Sequence, residues 1–144
     1  MDQIDAKILS LLHENARMPI SEMSRMIAMS QPAVTERLRK LEEQGIINAY
    51  RVQLSPQKLG MHTTAFVMFK TNSCPDFITF CEESPEIVEL YRTSGEYNFL
   101  MKVLTETTAS LANLLDKSNV FGFSSVLIVL STAFEDKNLL KRDK

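Results

Sequence analysis

One stretch of the chain carries polar side chains at a spacing that suits recognition. Val34, Leu38 and Leu41 recur at i, i+4 and i+7 and mark an apolar stripe. At about 100° per residue, Pro32, Thr35, Glu36, Arg39, Lys40 and Glu43 point away from that stripe. The chemistry open to this outer face is hydrogen bonding and charge. Gln31 and Thr35 carry groups that bond base edges, Arg39 can grip a guanine or a phosphate with two parallel bonds, and Lys40 suits a phosphate. Ser30 adjoins the face. Arg37 lies beside the stripe, where an ion pair with an acid of an earlier helix competes with an outward contact. The plainer reading of the same residues is a solvated surface of mixed charge. Glu36 and Glu43 would repel phosphates, which predicts modest affinity for each subunit.

A second candidate is the tight segment Ser94-Gly95-Glu96-Tyr97-Asn98. Backbone N–H groups in such a turn can hold a carboxylate, and Glu96 can hold an ammonium. The plainer reading is a hairpin turn. The other reactive residues point nowhere in particular. Cys81 falls on an apolar helix face and reads as a core thiol, and Cys74 precedes Pro75 at a helix start. No His pair stands near the two cysteines, so no zinc site is expected. His13 and His62 are isolated. No phosphate loop, dinucleotide fingerprint or catalytic triad signature is found, and no enzyme activity, cofactor or metal is expected.

The elements that position these residues follow from periodicity. Ile4, Ile8, Leu11 and Leu12 mark a first helix, with Asp2 and Asp5 at its positive end. Pro19 breaks the pattern, and Ser21 is expected to cap a short second helix with Met23, Met26 and Ile27 inward. After Ala28-Met29-Ser30 a third helix opens, capped by Ser30 or Gln31, with Pro32 in its first turn and Gly45 past its end. Three helices with so short a second connection outline a helix-turn-helix, whose third helix enters the DNA major groove. Ile46, Tyr50, Val52 and Leu54 predict a strand over 46–54, and Ser55-Pro56 to Gly60 a domain junction.

The second half reads as strand 62–71, a helix from Pro75, strand 86–93, strand 98–105, a helix capped by Thr107 or Thr108, and strand 124–134. The order βαββαβ is a ferredoxin-like arrangement, and the whole chain is α+β. Such a sheet covers one face with helices. Ala65 to Phe69 and Val126 to Leu130 are apolar at every position, so both faces must be buried, the second by another subunit.

Length and composition bound these readings. The 144 residues suit one domain or two small ones, and 44% hydrophobic with 24% charged excludes a disordered chain. No apolar run is long enough to span a bilayer, and no basic region followed by an apolar one opens the chain, so it is expected to be neither membrane-bound nor secreted. Net charge is −2, and the acids and bases of residues 1–55 cancel. A DNA-binding surface must therefore be a local patch.

The segments Met1-Asp2-Gln3-Ile4-Asp5-Ala6-Lys7-Ile8-Leu9 and Met29-Ser30-Gln31-Pro32-Ala33-Val34-Thr35-Glu36-Arg37-Leu38-Arg39-Lys40-Leu41-Glu42-Glu43-Gln44-Gly45-Ile46-Ile47 resemble the Lrp/AsnC family of transcription regulators. So do Ser94 to Asn98 and the following Phe99 to Val103. The resemblance implies a winged helix-turn-helix with a linker strand over 1–55, a ferredoxin-like ligand-sensing and oligomerisation domain over 61–136, and a tail over 137–144. It implies DNA contacts by Ser30, Gln31, Pro32, Thr35, Glu36, Arg37, Arg39 and Lys40. Sheet-paired homodimers would assemble into tetramers or octamers in the cytoplasm, on the nucleoid. An amino-acid effector would sit between dimers at Ser94, Gly95, Glu96, Tyr97 and Asn98. The family usually has Asp where this chain has Asn98, and often Thr and Arg where it has Val126, Leu127 and Ile128. Those departures predict an altered, weak or absent amino-acid response. The alternative function is an architectural protein that wraps DNA with little effector response.

Overall fold

The computed structural model describes residues 1–140. They divide into two compact units, residues 1–53 with the segment from Phe134 onward, and Leu54–Ala133. The expected tail over 137–144 lies partly outside the described residues.

The first unit holds three helices. α1 (Gln3–Glu14) opens with a capping box. Asp2 accepts the N–H groups of Ile4 and Asp5 at 2.9 Å, and Asp5 takes the Asp2 N–H at 3.0 Å. α2 (Ile20–Ile27) begins one residue before Ser21. The capping carbonyl is that of Pro19, which accepts from Glu22 and Met23 at 3.0 Å. The extended ψ of Pro19 aims its carbonyl down the helix, so no side-chain cap is needed. α3 (Gln31–Glu43) is capped by Ser30, with Pro32 in its first turn. Only Ala28, Met29 and Ser30 separate α2 from α3, and Ala28 turns the chain with a left-handed φ of 56°. Ile8, Leu11, Met23, Val34, Leu38 and Leu41 form the core. The segment from Phe134 lies along α1, where the Asp136 carbonyl meets His13 Nε2 at 3.0 Å.

The strand expected over 46–54 does not form. The Ile46 and Ile47 N–H groups are spent on the Leu41 carbonyl at the end of α3. Beyond them no neighbouring strand among the described residues offers a ladder, and a strand needs one to satisfy its backbone. Val52 and Leu54 stay exposed.

The second unit is a four-stranded sheet with two helices. Its elements are β1 (Thr63–Thr71), α4 (Cys74–Glu83), β2 (Ile87–Arg92), β3 (Phe99–Thr105), α5 (Thr108–Ser118) and β4 (Gly122–Ile128). The sheet order is β2-β3-β1-β4, with every pair antiparallel. This is the expected βαββαβ order, preceded by a 3₁₀ turn at Gln57–Leu59. β4 ends six residues earlier than the apolar run 124–134 predicts. Its pairing with β1 runs from Thr71↔Gly122 to Ala65↔Ile128, and one further bond, Val129 N–H to the Thr64 carbonyl, closes it. Only Thr63 of the partner strand lies beyond that bond, and hydrophobicity alone sustains no strand. At the other end Gly122 is required. A Cβ there would stand 1.9 Å from the Lys70 carbonyl oxygen.

Side chains alternate between the two faces of the sheet. Ala65, Val67, Phe69, Phe99, Met101 and Val103 are buried with Phe77, Cys81, Leu111 and Leu114 of the helices. Phe77 stacks on Phe69 with ring centroids 4.1 Å apart. The opposite face carries Phe66, Met68, Leu100 and Leu104, all half-exposed, with Phe123 and Leu127 exposed. The two faces are both apolar, but only one is covered within the chain. Among the described residues no helix is long and apolar enough to cross a membrane.

Candidate nucleic-acid interface

The apolar stripe of α3 sets what its outer face offers. Val34, Leu38 and Leu41 are buried against α1 and α2, so the remaining face is turned to solvent. Ser30, Gln31, Pro32, Thr35, Glu36, Arg39 and Lys40 are all exposed. The structure brings these seven together on one surface, with a shallow depression lined by Gln31, Pro32, Thr35 and Glu36. Two hydroxyls are already committed locally. Ser30 accepts the Ala33 N–H at 3.4 Å as the helix cap, and Thr35 Oγ1 donates to the Gln31 carbonyl at 2.9 Å. Both retain acceptor capacity for a ligand.

Arg37 stands apart from the other expected contacts. It is half-buried, and its Nη1 donates to Asp2 at 2.8 Å and to Asp5 at 2.7 Å. This is the ion pair that its position beside the stripe left open, and it sets Arg37 apart from the outward face of α3. The bridge joins the start of α1 to the middle of α3. The Asp5 and Asp2 carboxylates hold the guanidinium above its ordinary pKa. Each aspartate lies below the usual 3.8, first through the backbone N–H that it accepts from the other and then through Arg37.

The outer face is electrically closed on itself. Arg39 Nε and Nη2 donate to the two Glu36 oxygens at 2.9 and 2.7 Å, and Nη1 donates to Glu43. Lys40 Nζ lies 3.7 Å from Glu36. Hydrogen bonding from Arg39 brings the Glu36 carboxyl down to about 2. The sequence places all four residues on one face, but which donors find which acceptors depends on rotamers.

The turn between β2 and β3 gathers Ser94 to Asn98. Thr93 closes it, its N–H donating to the Asn98 carbonyl at 3.0 Å and its hydroxyl to the Tyr97 carbonyl at 2.8 Å. Ser94, Gly95 and Glu96 are exposed. Asn98 is spent on the fold. Its Oδ1 accepts the Thr71 N–H at 3.0 Å, and its Nδ2 donates to the Thr71 carbonyl at 2.7 Å. With the Asn98 N–H on the Phe69 carbonyl at 3.0 Å, one residue extends the β1–β3 ladder by a side-chain rung. Thr71 was not singled out from sequence, since nothing local marks it as the partner of a residue 27 positions on. Cys81 is a core thiol, which burial pushes up to about 12. Among the described residues no cluster of His, Cys, Asp and Glu suits a metal.

Comparisons with known proteins agree along the chain. A model of the AsnC-type helix-turn-helix domain matches residues 1–42, and one of the Lrp/AsnC ligand binding domain matches residues 64–139. The HTH-type transcriptional regulator YezC of Bacillus subtilis is 35% identical over 133 residues, spanning 92% of this chain and 96% of that protein. LrpB of the same organism is 37% identical over 124 residues, spanning 85% and 83%. The solved structure of B. subtilis LrpC superposes with a TM-score of 0.88 at 27% identity, covering 93% of this chain and 97% of that one. A Neisseria meningitidis transcriptional regulator, NMB0573 in complex with L-Met, shares the fold with a TM-score of 0.89 at 24% identity, over 96% of each chain.

Two outcomes test this geometry. The carboxylates of Asp2 and Asp5 titrate lower in the folded chain than in the unfolded one. Their contribution to stability is present above about pH 4 and is lost as pH falls through the folded values. Arg37→Ala should therefore lower stability at about pH 7 and flatten its decline below about pH 4, as followed by helical circular dichroism. A sloped acid limb identical to that of the unaltered chain would count against the bridge. Asn98→Asp places a carboxylate oxygen where the amide donates to the Thr71 carbonyl. Denaturant titration should show a loss of about 1–3 kcal/mol, and an unchanged midpoint would mean that the rung carries no stability.

Proposed function

The chain belongs to the Lrp/AsnC family of transcription regulators, and from that premise we propose how it meets DNA, its own copies and an effector. The reading rests on one observation. The residues left exposed by burial of the α3 stripe are those able to read or grip a duplex. α3 enters the major groove with Gln31 and Thr35 at base edges and Arg39 on guanine. Ser30, Pro32 and Glu36 border that contact, and Lys40 takes a phosphate. Arg37 acts from behind, holding α3 against α1. The protein is a regulator, not an enzyme, as its relatives are. Those relatives disfavour a purely architectural role. Its place of action is the cytoplasm, on the nucleoid.

A face this nearly neutral binds weakly alone. Assembly supplies the missing affinity, because linked sites act at high effective concentration. The open face of the sheet, with Phe66, Met68, Leu100, Leu104, Phe123 and Leu127, takes the same face of a second copy. The Lys102–Glu89 pair at 3.7 Å lies on it and gives it a register. Dimers join into tetramers or octamers. The second unit, matched to a ligand-binding domain, senses an amino acid at the β2–β3 turn. Glu96 and the turn backbone hold it, and Asn98 does not contribute its side chain. The response is weak, because the amide that replaces a carboxylate is spent on Thr71.

DNA fragments selected from a genomic pool by the purified chain test the interface. On an enriched site, Arg39→Ala should cost about 1–3 kcal/mol, measured by fluorescence anisotropy, and relax preference at one base pair. A uniform loss on all sequences would make Arg39 a phosphate contact, and no loss would mean that another face meets DNA. Sedimentation tests assembly: dimers or larger species are expected, redistributed by a mixture of the twenty amino acids. A monomer at micromolar concentration would overturn the paired sheet, and an unmoved distribution would overturn sensing through assembly.

A further inference from the structure

Arg39 is the residue on which the proposed base reading most depends, and in the free chain one of its two bidentate edges is occupied. Its Nε and Nη2 face both oxygens of Glu36, fork against fork, at 2.9 and 2.7 Å. That pair of N–H groups is one of the two edges with which a guanidinium takes the O6 and N7 of guanine, or two phosphate oxygens. Nη1 is held by Glu43 one turn further on. Three of the five guanidinium N–H groups are thereby engaged, so DNA that takes Arg39 by its Nε–Nη2 edge must displace Glu36. The side chains of Arg39, Glu36 and Glu43 are 52%, 49% and 59% exposed, so water and salt weaken the pairs and make them readily exchangeable.

What replaces the carboxylates decides whether the exchange is favourable. A phosphate arrives with its own negative charge, and Glu36 and Glu43 remain within a few ångströms to repel it. A guanine edge offers the same two acceptors without net charge, so the neighbouring carboxylates oppose it far less. We infer that Glu36 and Glu43 are specificity determinants of this regulator, holding Arg39 so that a neutral base edge displaces them and a bare phosphate does not. The inference rests on the DNA-binding reading of α3. With its carboxyl near 2, Glu36 stays charged throughout the ordinary pH range, so the clamp is a standing one and not a pH switch. It also accounts for two acids on a face that must approach a polyanion.

Intrahelical pairs of this spacing can serve helix stability alone, and a double-mutant cycle separates the two roles. The full chain is titrated by anisotropy against its selected duplex and a scrambled one, at several salt concentrations. Glu43→Gln, which keeps helix propensity, should tighten scrambled-duplex binding about 3- to 10-fold. In an Arg39→Ala background the same change should give at most about a twofold gain, the part owed to charge alone. The salt slope on scrambled DNA should steepen by about one unit as Arg39 joins a phosphate, and the preference for the selected duplex should fall. Glu36→Gln should act in the same direction and more strongly. Equal gains in both backgrounds, or no gain while the selected duplex is still preferred, would overturn the inference. Wild-type protein that binds neither duplex would instead overturn the reading of α3 on which it stands.

Discussion

The first unit is organised by a single packing constraint, the burial of Val34, Leu38 and Leu41 against Ile8, Leu11 and Met23. A helix has one rotation about its axis, and burying this stripe uses it up. Which side chains of α3 can reach a ligand is thereby decided before any of them makes a contact. The Arg37 bridge adds a second constraint. It ties the capping box of α1 to α3, so the N-terminus of one helix and the middle of another are held by the same three charges. The three-residue turn through Ala28 completes the arrangement at some conformational cost, since a left-handed backbone is disfavoured for a residue with a Cβ.

With the rotation set, electrostatics decides how the exposed face behaves. Its two cations and two acids are paired with one another along the helix. Such a face carries little long-range field to steer it onto DNA. On the proposed DNA-binding reading, discrimination comes from close contact and affinity from several faces acting together. A neutral recognition helix and a sheet with one apolar face uncovered are in this sense two halves of one design. In the proposed assembly the second supplies what the first gives up in charge.

The second unit shows the same division between what a side chain is and where it is spent. Asn98 carries a group suited to a ligand, yet both ends of its amide are satisfied by Thr71. The turn is rigidly closed on the strand beside it, and only Ser94, Gly95 and Glu96 remain open to solvent. Gly122 is spent likewise, on the close approach of β4 to the Lys70 carbonyl. These residues look alike in sequence to residues free for chemistry, and they are not free.

Local pattern carried much of this protein. Helical spacing marked α1, α2 and α3, a short apolar run marked β1, and caps at Ser30 and Thr107 marked where helices begin, because these signals depend on residues within a turn or two of each other. The exposed set on α3 followed from its stripe by geometry alone. The signals failed where a distant partner decides the outcome. Residues 46–54 have strand composition but no neighbouring strand among the described residues, and β4 stops at Ile128, two residues short of the Thr63 end of β1. Ser21 caps nothing because the Pro19 carbonyl already satisfies the first turn of α2. By itself the sequence determined the elements, their order and the rotation of α3, since each follows from the polarity of nearby side chains. Only the tertiary structure decided that Arg37 faces Asp2 and Asp5 and that Asn98 belongs to Thr71. Those pairings are set by distances across space and by rotamers, and spacing along the chain does not encode them.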